Sequence, residues 1–261
     1  MSRRTLLLST ATTALAASVV LTGCDVNVDL GGNDPGDRTT EERSITDVSA
    51  VELATTGSLS LSVGDEPSLT ITAGENVLDR LTTEITGDTL VIDLPGSWRN
   101  PRIDYDLVLP ALSSVTLSGS GAVDGDIGGT GDIELRINGS GEIQLDEIEA
   151  SDLTVTIDGS GAVEVDDVVA GATVVRVDGS GAVTLDGSTD TLDVAIPGSG
   201  DVRLSGLEAR DAVVRIDGSG EAEVHATGTL DAAIGGSGRI AYSGDPDVTR
   251  DIDGSGEIEE S

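Results

Sequence analysis

The tripeptide Gly-Ser-Gly occurs eight times, beginning at Gly119, Gly139, Gly159, Gly179, Gly198, Gly218, Gly236 and Gly254, at steps of 20, 20, 20, 19, 20, 18 and 18 residues. A period of this size belongs to chains that stack one structural unit on itself. Two residues before each triplet stand Leu117, Ile137, Ile157, Val177, Ile196, Ile216, Ile234 and Ile252; two residues after it stand Val123, Ile143, Val163, Val183, Val202, Ala222, Ile240 and Ile258. All sixteen positions are apolar, so each triplet is a corner joining two inward-facing strand ends. In the third unit Leu153, Val155 and Ile157 alternate with Thr154, Thr156 and Asp158, and beyond the corner Val163 and Val165 alternate with Ala162 and Glu164. Val168 supplies a third inward residue on the return. Two or three short strands in about 20 residues is one coil of a parallel β-helix, with Ile157 stacked between Ile137 and Val177 at ~4.8 Å per coil. The expected fold is therefore all-β, a single-stranded parallel β-helix whose coils are marked by Gly-Ser-Gly. A sandwich is the rival, but sandwiches rarely keep identical turns at constant spacing.

Composition agrees with a narrow prism filled by like layers. Hydrophobic residues make up 37% of the 261, yet aromatics are 1% and Phe is absent, so the core has to be built from Val, Ile, Leu and Ala. Glycine, with 35 copies, allows sharp corners. The 14 basic residues are all Arg and face 48 acidic ones, for a formal charge of −34. Nucleic acid is excluded as a partner by that sign, because phosphate binding needs a basic surface. Such charge serves solubility or life at high salt. Arg in place of Lys fits either a GC-rich genome or a halophile.

Along the chain, residues 1–23 read as an export leader: Arg3 and Arg4 precede an uncharged stretch from Leu6 to Leu21. The paired arginines also resemble a twin-arginine signal, leaving the export route open. Leu21-Thr22-Gly23-Cys24 resembles the lipobox of bacterial lipoproteins, which makes Cys24, the single cysteine, the lipidation site. Diacylation there would hold the protein to the outer side of a cell membrane through its lipid. No second apolar run long enough to span a membrane follows. Residues 24–43, rich in Gly, Asp, Asn and Thr, read as a flexible tether, and 44–261 as the folded domain. Within it, 44–112 form coils without the triplet and 113–261 carry the repeats. Val77, Leu78, Leu81 and Ile85 suggest a helical face in 75–86, with a further strand pair as the alternative.

The leading strand ending near Leu53, Val63-Gly64, Leu69-Thr70-Ile71, Gly87-Asp88-Thr89-Leu90-Val91-Ile92, Val108-Leu109-Pro110-Ala111-Leu112 and Gly119-Ser120-Gly121 together resemble the GIN-domain family of auto-transporter adhesin heads. The resemblance covers nearly all of the chain after the leader. It implies a right-handed parallel β-helix on an exported, often lipid-anchored bacterial protein, and it carries no catalytic set.

No residue pattern supplies catalytic, cofactor or metal residues. His225 stands alone and on an outward position of its strand. Trp98, the one Trp, reads as the cap of a hydrophobic end, with ligand stacking as its sharper alternative. Asn138, Asp158, Asp178, Asp217 and Asp253 form a column before the triplets. Each Asp is expected to cap its own turn by accepting from an N–H two residues on; a bridging hard cation is the alternative. Function is expected to be non-enzymatic binding or scaffolding of a surface protein or glycan. Two alternatives stand beside it: a carbohydrate-active β-helix enzyme using Arg176, Arg203 and Arg215 near one ladder, and an envelope-stress lipoprotein. Glu257, Glu259 and Glu260 at the last coil predict a monomer by repulsion.

Overall fold

The structure, a computed structural model, describes residues 34–261; Cys24 and the leader lie outside the described residues. Strands β1 (Arg38–Arg43), β2 (Ala50–Leu53), β3 (Ser58–Val63) and β4 (Ser68–Gly74) lead into a one-turn helix, α1 (Glu75–Leu78). Then come β5 (Thr82–Thr86), β6 (Thr89–Asp93), β7 (Asp104–Leu109), β8 (Ser114–Leu117), β9 (Ala122–Gly125) and β10 (Ile133–Ile137). Long bent strands follow: β11 (Glu142–Ile157), β12 (Ala162–Val177), β13 (Ala182–Ile196), β14 (Asp201–Ile216) and β15 (Glu221–Ile234). The chain closes with β16 (Arg239–Gly244), β17 (Asp247–Ile252) and β18 (Glu257–Glu260).

From β8 onward the pairing is parallel and in the expected register. Leu117 pairs with Ile137, Ile137 with Ile157, and Ile157 with Val177; further on Ile196 pairs with Ile216, Ile216 with Ile234 and Ile234 with Ile252. The second ladder runs through Val123, Ile143, Val163, Val183, Val202, Ala222, Ile240 and Ile258. Nearly all these side chains are sealed from solvent, each Val or Ile contributing about 1.5–3 kcal/mol by burial. The chain is thus a parallel β-solenoid. Each long strand bends into three flat faces, paired in β11 over Glu142–Leu145, Glu147–Ala150 and Asp152–Ile157.

The triplets stand in single file. From the second triplet on, the amide of the triplet Ser donates to the first-glycine carbonyl of the coil before it, as from Ser160 to Gly139 at 3.0 Å and Ser180 to Gly159 at 3.0 Å. A Cβ on Gly159 or Gly179 would strike the carbonyl oxygen of the glycine beneath it, so close approach of backbones is what demands glycine here. Coils of 18 or 19 residues keep this file intact because their length differences collect elsewhere. The register shifts fall between Val165 and Val168, between Thr184 and Gly187, and around Glu208 and Ala209, always at the other two corners or the face between them.

The first coils depart from simple chain order. The β2–β3 coil lies between two others: β2 pairs with both β6 and β8, and β3 with both β7 and β9. Beyond β7 the sheet turns antiparallel, β4 on β7 and β1 on β4, which closes this end. Residues 38–43, expected to belong to the tether, are therefore strand β1, because β4 offers them a free edge to pair with. The 75–86 segment divides between the two readings: α1 buries Val77 and Leu78, with Leu81 buried just after it. Ile85 instead lies on β5, an exposed antiparallel partner of β6. Tyr105 fills the closed end fully buried, its hydroxyl donating to the Thr56 carbonyl at 3.4 Å; burial pushes the phenol pKa well above its ordinary value.

Candidate functional site

Alternation that sends Val and Ile inward sends Asp, Glu, Thr and Arg outward, so the sides of the solenoid carry rows in which carboxylates are interspersed with other side chains, as along Glu134, Thr154, Val174, Asp193, Val213 and Asp231. Arginines in these rows pair with carboxylates of their own or adjacent coils. Arg136 bridges Glu134 (2.8 Å) and Asp158 (3.3 Å), and Arg239 bridges Glu221 (2.7 Å) and Glu259. Arg215 reaches between Asp193 (4.0 Å) and Asp231 (3.9 Å), while Arg210 contacts Asp211 (3.0 Å) and Asp190 (3.5 Å). All are substantially exposed, so solvent screens each pair and none contributes much to stability by itself. Bonds from Thr229 and from Arg210 hold the exposed Asp211 carboxyl below the ordinary Asp range; a bond from Ser49 does the same for Asp88.

The aspartate column is not a set of turn caps. The amide two residues after Asp158, that of Ser160, is taken by Gly139 of the neighbouring coil. Two of the carboxylates turn instead to arginine: Asp178 accepts from Arg176 Nε (2.7 Å) and Nη2 (2.6 Å), and Asp158 from Arg136. Among the described residues no group of His, Cys, Asp or Glu has the arrangement of a metal site. The arginine trio also separates. Arg176 and Arg215 share one column through Ala195, whereas Arg203 pairs in register with Thr184 and Glu223 on the next face. His225 is half-exposed, with Nδ1 2.9 Å from the Ser243 hydroxyl.

Several concavities of about 330–470 Å3 mark the described surface, and two of them bear on function. A shallow groove of about 460 Å3 crosses five coils, with Thr173, Leu192, Ala212 and Leu230 along its floor and Asp193 and Asp231 at its edge. The second, of about 400 Å3, lies at the closed end and is lined by Asp34, Asn76, Asp79, Arg80 and Trp98. Trp98 sits in the loop between β6 and β7. In the other coils that corner is a tight turn, most often a glycine triplet; here it lengthens to residues 94–103. The half-buried indole packs on the core and its N–H donates to the Pro95 carbonyl at 3.2 Å. Trp98 was legible as the cap of a hydrophobic end; Asn76, Asp79 and Arg80 were not, because only the apolar face of 75–86 carries a pattern.

No helix of the described residues is long and apolar enough to cross a membrane. A comparison with curated proteins returns no match. Among solved structures the chain is similar to a "Putative lipid binding protein" from Parabacteroides distasonis, at 28% identity and a TM-score of 0.79, covering 88% of this chain and 99% of that one. It is also similar to a "putative adhesin" from Parabacteroides distasonis, at 24% identity and TM-score 0.76 over 87% and 99% of the two chains. A "putative adhesin" from Parabacteroides merdae shares the fold at 22% identity and TM-score 0.77, over 88% and 99%. A family model described as "Putative auto-transporter adhesin, head GIN domain" matches residues 47–246. With the solenoid, its single file of triplets and most of the chain inside that match, this protein belongs to the GIN-domain family of adhesin heads.

Proposed function

We propose that the protein is an exported, lipid-anchored envelope protein whose solenoid binds or scaffolds partners on its sides and does no chemistry. The observation that carries this reading is the set of flat faces bearing carboxylates in rows along the axis, an extended display surface. Glycoside cleavage needs two carboxylates facing each other across a bond, about 5–9 Å apart with a substrate between them. Here the carboxylates lie along the same walls and are tied to arginines of their own or neighbouring rows. The name of one relative suggests a lipid ligand. Such a ligand would have to lie on the outside, since the interior ladders are filled by side chains.

Residues 34–261, immobilised and challenged with a glycan array and with solubilised envelope proteins, should retain a defined subset of ligands. Failure to retain any would sink the binding reading. Separately, Cys24→Ala in the full chain should move the protein from the membrane fraction to the soluble fraction of the envelope. A variant that stays membrane-bound would remove the lipid anchor.

A further inference from the structure

We infer that the concavity at the closed end is a saccharide-binding site, with Trp98 as its stacking platform and Asn76, Asp79 and Arg80 as its polar contacts. The proposal deepens the binding reading and rests on it. Three observations lead there. First, among the described residues the one place where the recurrent tight corner opens into a long loop is the place that holds the chain's single Trp. A chain with no Phe, one Trp and two Tyr buries both tyrosines, Tyr105 and Tyr242, in its core, so leaving this indole half-exposed over a concavity is a specific placement.

Second, the indole N–H is already spent on the Pro95 carbonyl, so what the half-exposed ring can offer a ligand is its π face rather than a donor. That face carries negative quadrupole density and attracts the polarised C–H groups on the apolar side of a pyranose. Third, the surrounding groups supply what the hydroxyls of such a ring need: a carboxylate acceptor in Asp79, a guanidinium donor in Arg80, and an amide in Asn76. An anionic ligand is opposed by Asp34 and Asp79, and a simple cation by Arg80, so a neutral polyol is the best match. The volume of about 400 Å3 lies at the small end of the range for ligand sites, the size for one or two sugar rings.

The site is held rather than floppy. Asn100 (φ 48°) and Arg102 (φ 31°) take left-handed backbone conformations around Pro101, and Arg38 of β1 donates to the Arg102 carbonyl at 3.0 Å. On the opposite wall, the chain at Pro35 and Asp37 accepts from the amides of Asn76 and Glu75 at 3.0 and 2.8 Å.

Because Trp98 is the only Trp, its fluorescence reports on this site alone. Cellobiose and N,N′-diacetylchitobiose titrated into residues 34–261 should give, for at least one of them, a saturable emission change with Kd of about 1 mM, as befits an open site. Asp79→Ala and Asn76→Ala, both exposed, should each weaken that binding about tenfold, the effect of one lost hydrogen bond. Asp193→Ala in the distant groove should leave it unchanged. The proposal is overturned by no response to either sugar, by a response that survives both site variants, or by a response confined to phosphatidylglycerol vesicles, which would make the concavity a membrane contact. Retention of glycans or proteins that both site variants leave intact would overturn this site and spare the binding reading; loss of all retention would end both.

Discussion

Gly159 and Gly131 are the same residue type under opposite constraints. A methyl on Gly159 collides with the Gly139 carbonyl, so coils must part for it; Gly131 has nothing within 4 Å and no left-handed backbone. Gly159→Ala should therefore cost about 2–4 kcal/mol in denaturant unfolding, whereas Gly131→Ala should be neutral or stabilise by about 0.4–1 kcal/mol through the unfolded chain. Thr173 is a polar rung in an apolar ladder, buried between Leu153 and Leu192 and bonded to the Thr189 hydroxyl at 3.1 Å. Thr189 also donates to the Thr191 carbonyl, so Thr173→Val leaves no donor stranded and should cost under about 1 kcal/mol. For Asp211 the folded carboxyl is held below its ordinary pKa. Its stabilisation is present above the ordinary Asp range and is lost as pH falls through the lowered value. The difference in Tm between wild type and Asp211→Asn should accordingly be seen at pH 7 and vanish in strong acid.

At the level of elements, the closed end rests on β1. Its strand covers the outer edge of β4, and an uncovered edge is a template for pairing with another chain. A protein beginning at residue 44 should be less stable and should self-associate in light scattering, while the chain from 34 stays dispersed. This end was also the part least legible beforehand. The ladder from Leu117 to Ile252 could be read because repetition makes register a matter of counting. Leu53 and Leu59 flank their corner at the same distance of six residues as Leu117 and Val123, but without the triplet counting does not give the register of their coil against its neighbours. Nor could counting reveal that this coil is inserted between two that follow it, because which strands pair there depends on long-range closure by β4 and β1. The Trp98 site shares that difficulty: its members come from residues 34, 76–80 and 98, brought together only by the cap.

For the molecule as a whole, charge opposes compactness. A formal −34 distributed over rows one coil apart repels itself, and the arginine pairs that relieve it are exposed and individually weak. Raising salt from about 10 to 150 mM shortens the screening length from about 30 to 8 Å, which weakens repulsion between rows more than contacts at ion-pair distance. Tm should therefore rise with NaCl; a fall would mean the ion pairs outweigh the repulsion. One last property follows from where the coils take up their differences in length. The glycine edge behaves as a spine of fixed pitch, and the opposite side as a seam that can be let out or taken in. Cutting out residues 158–177 would join Ile157 to the next Asp-Gly-Ser-Gly with every rung still facing its neighbour. The product should be a folded rod shorter by about 4.8 Å, so the spine makes this protein divisible, one storey at a time.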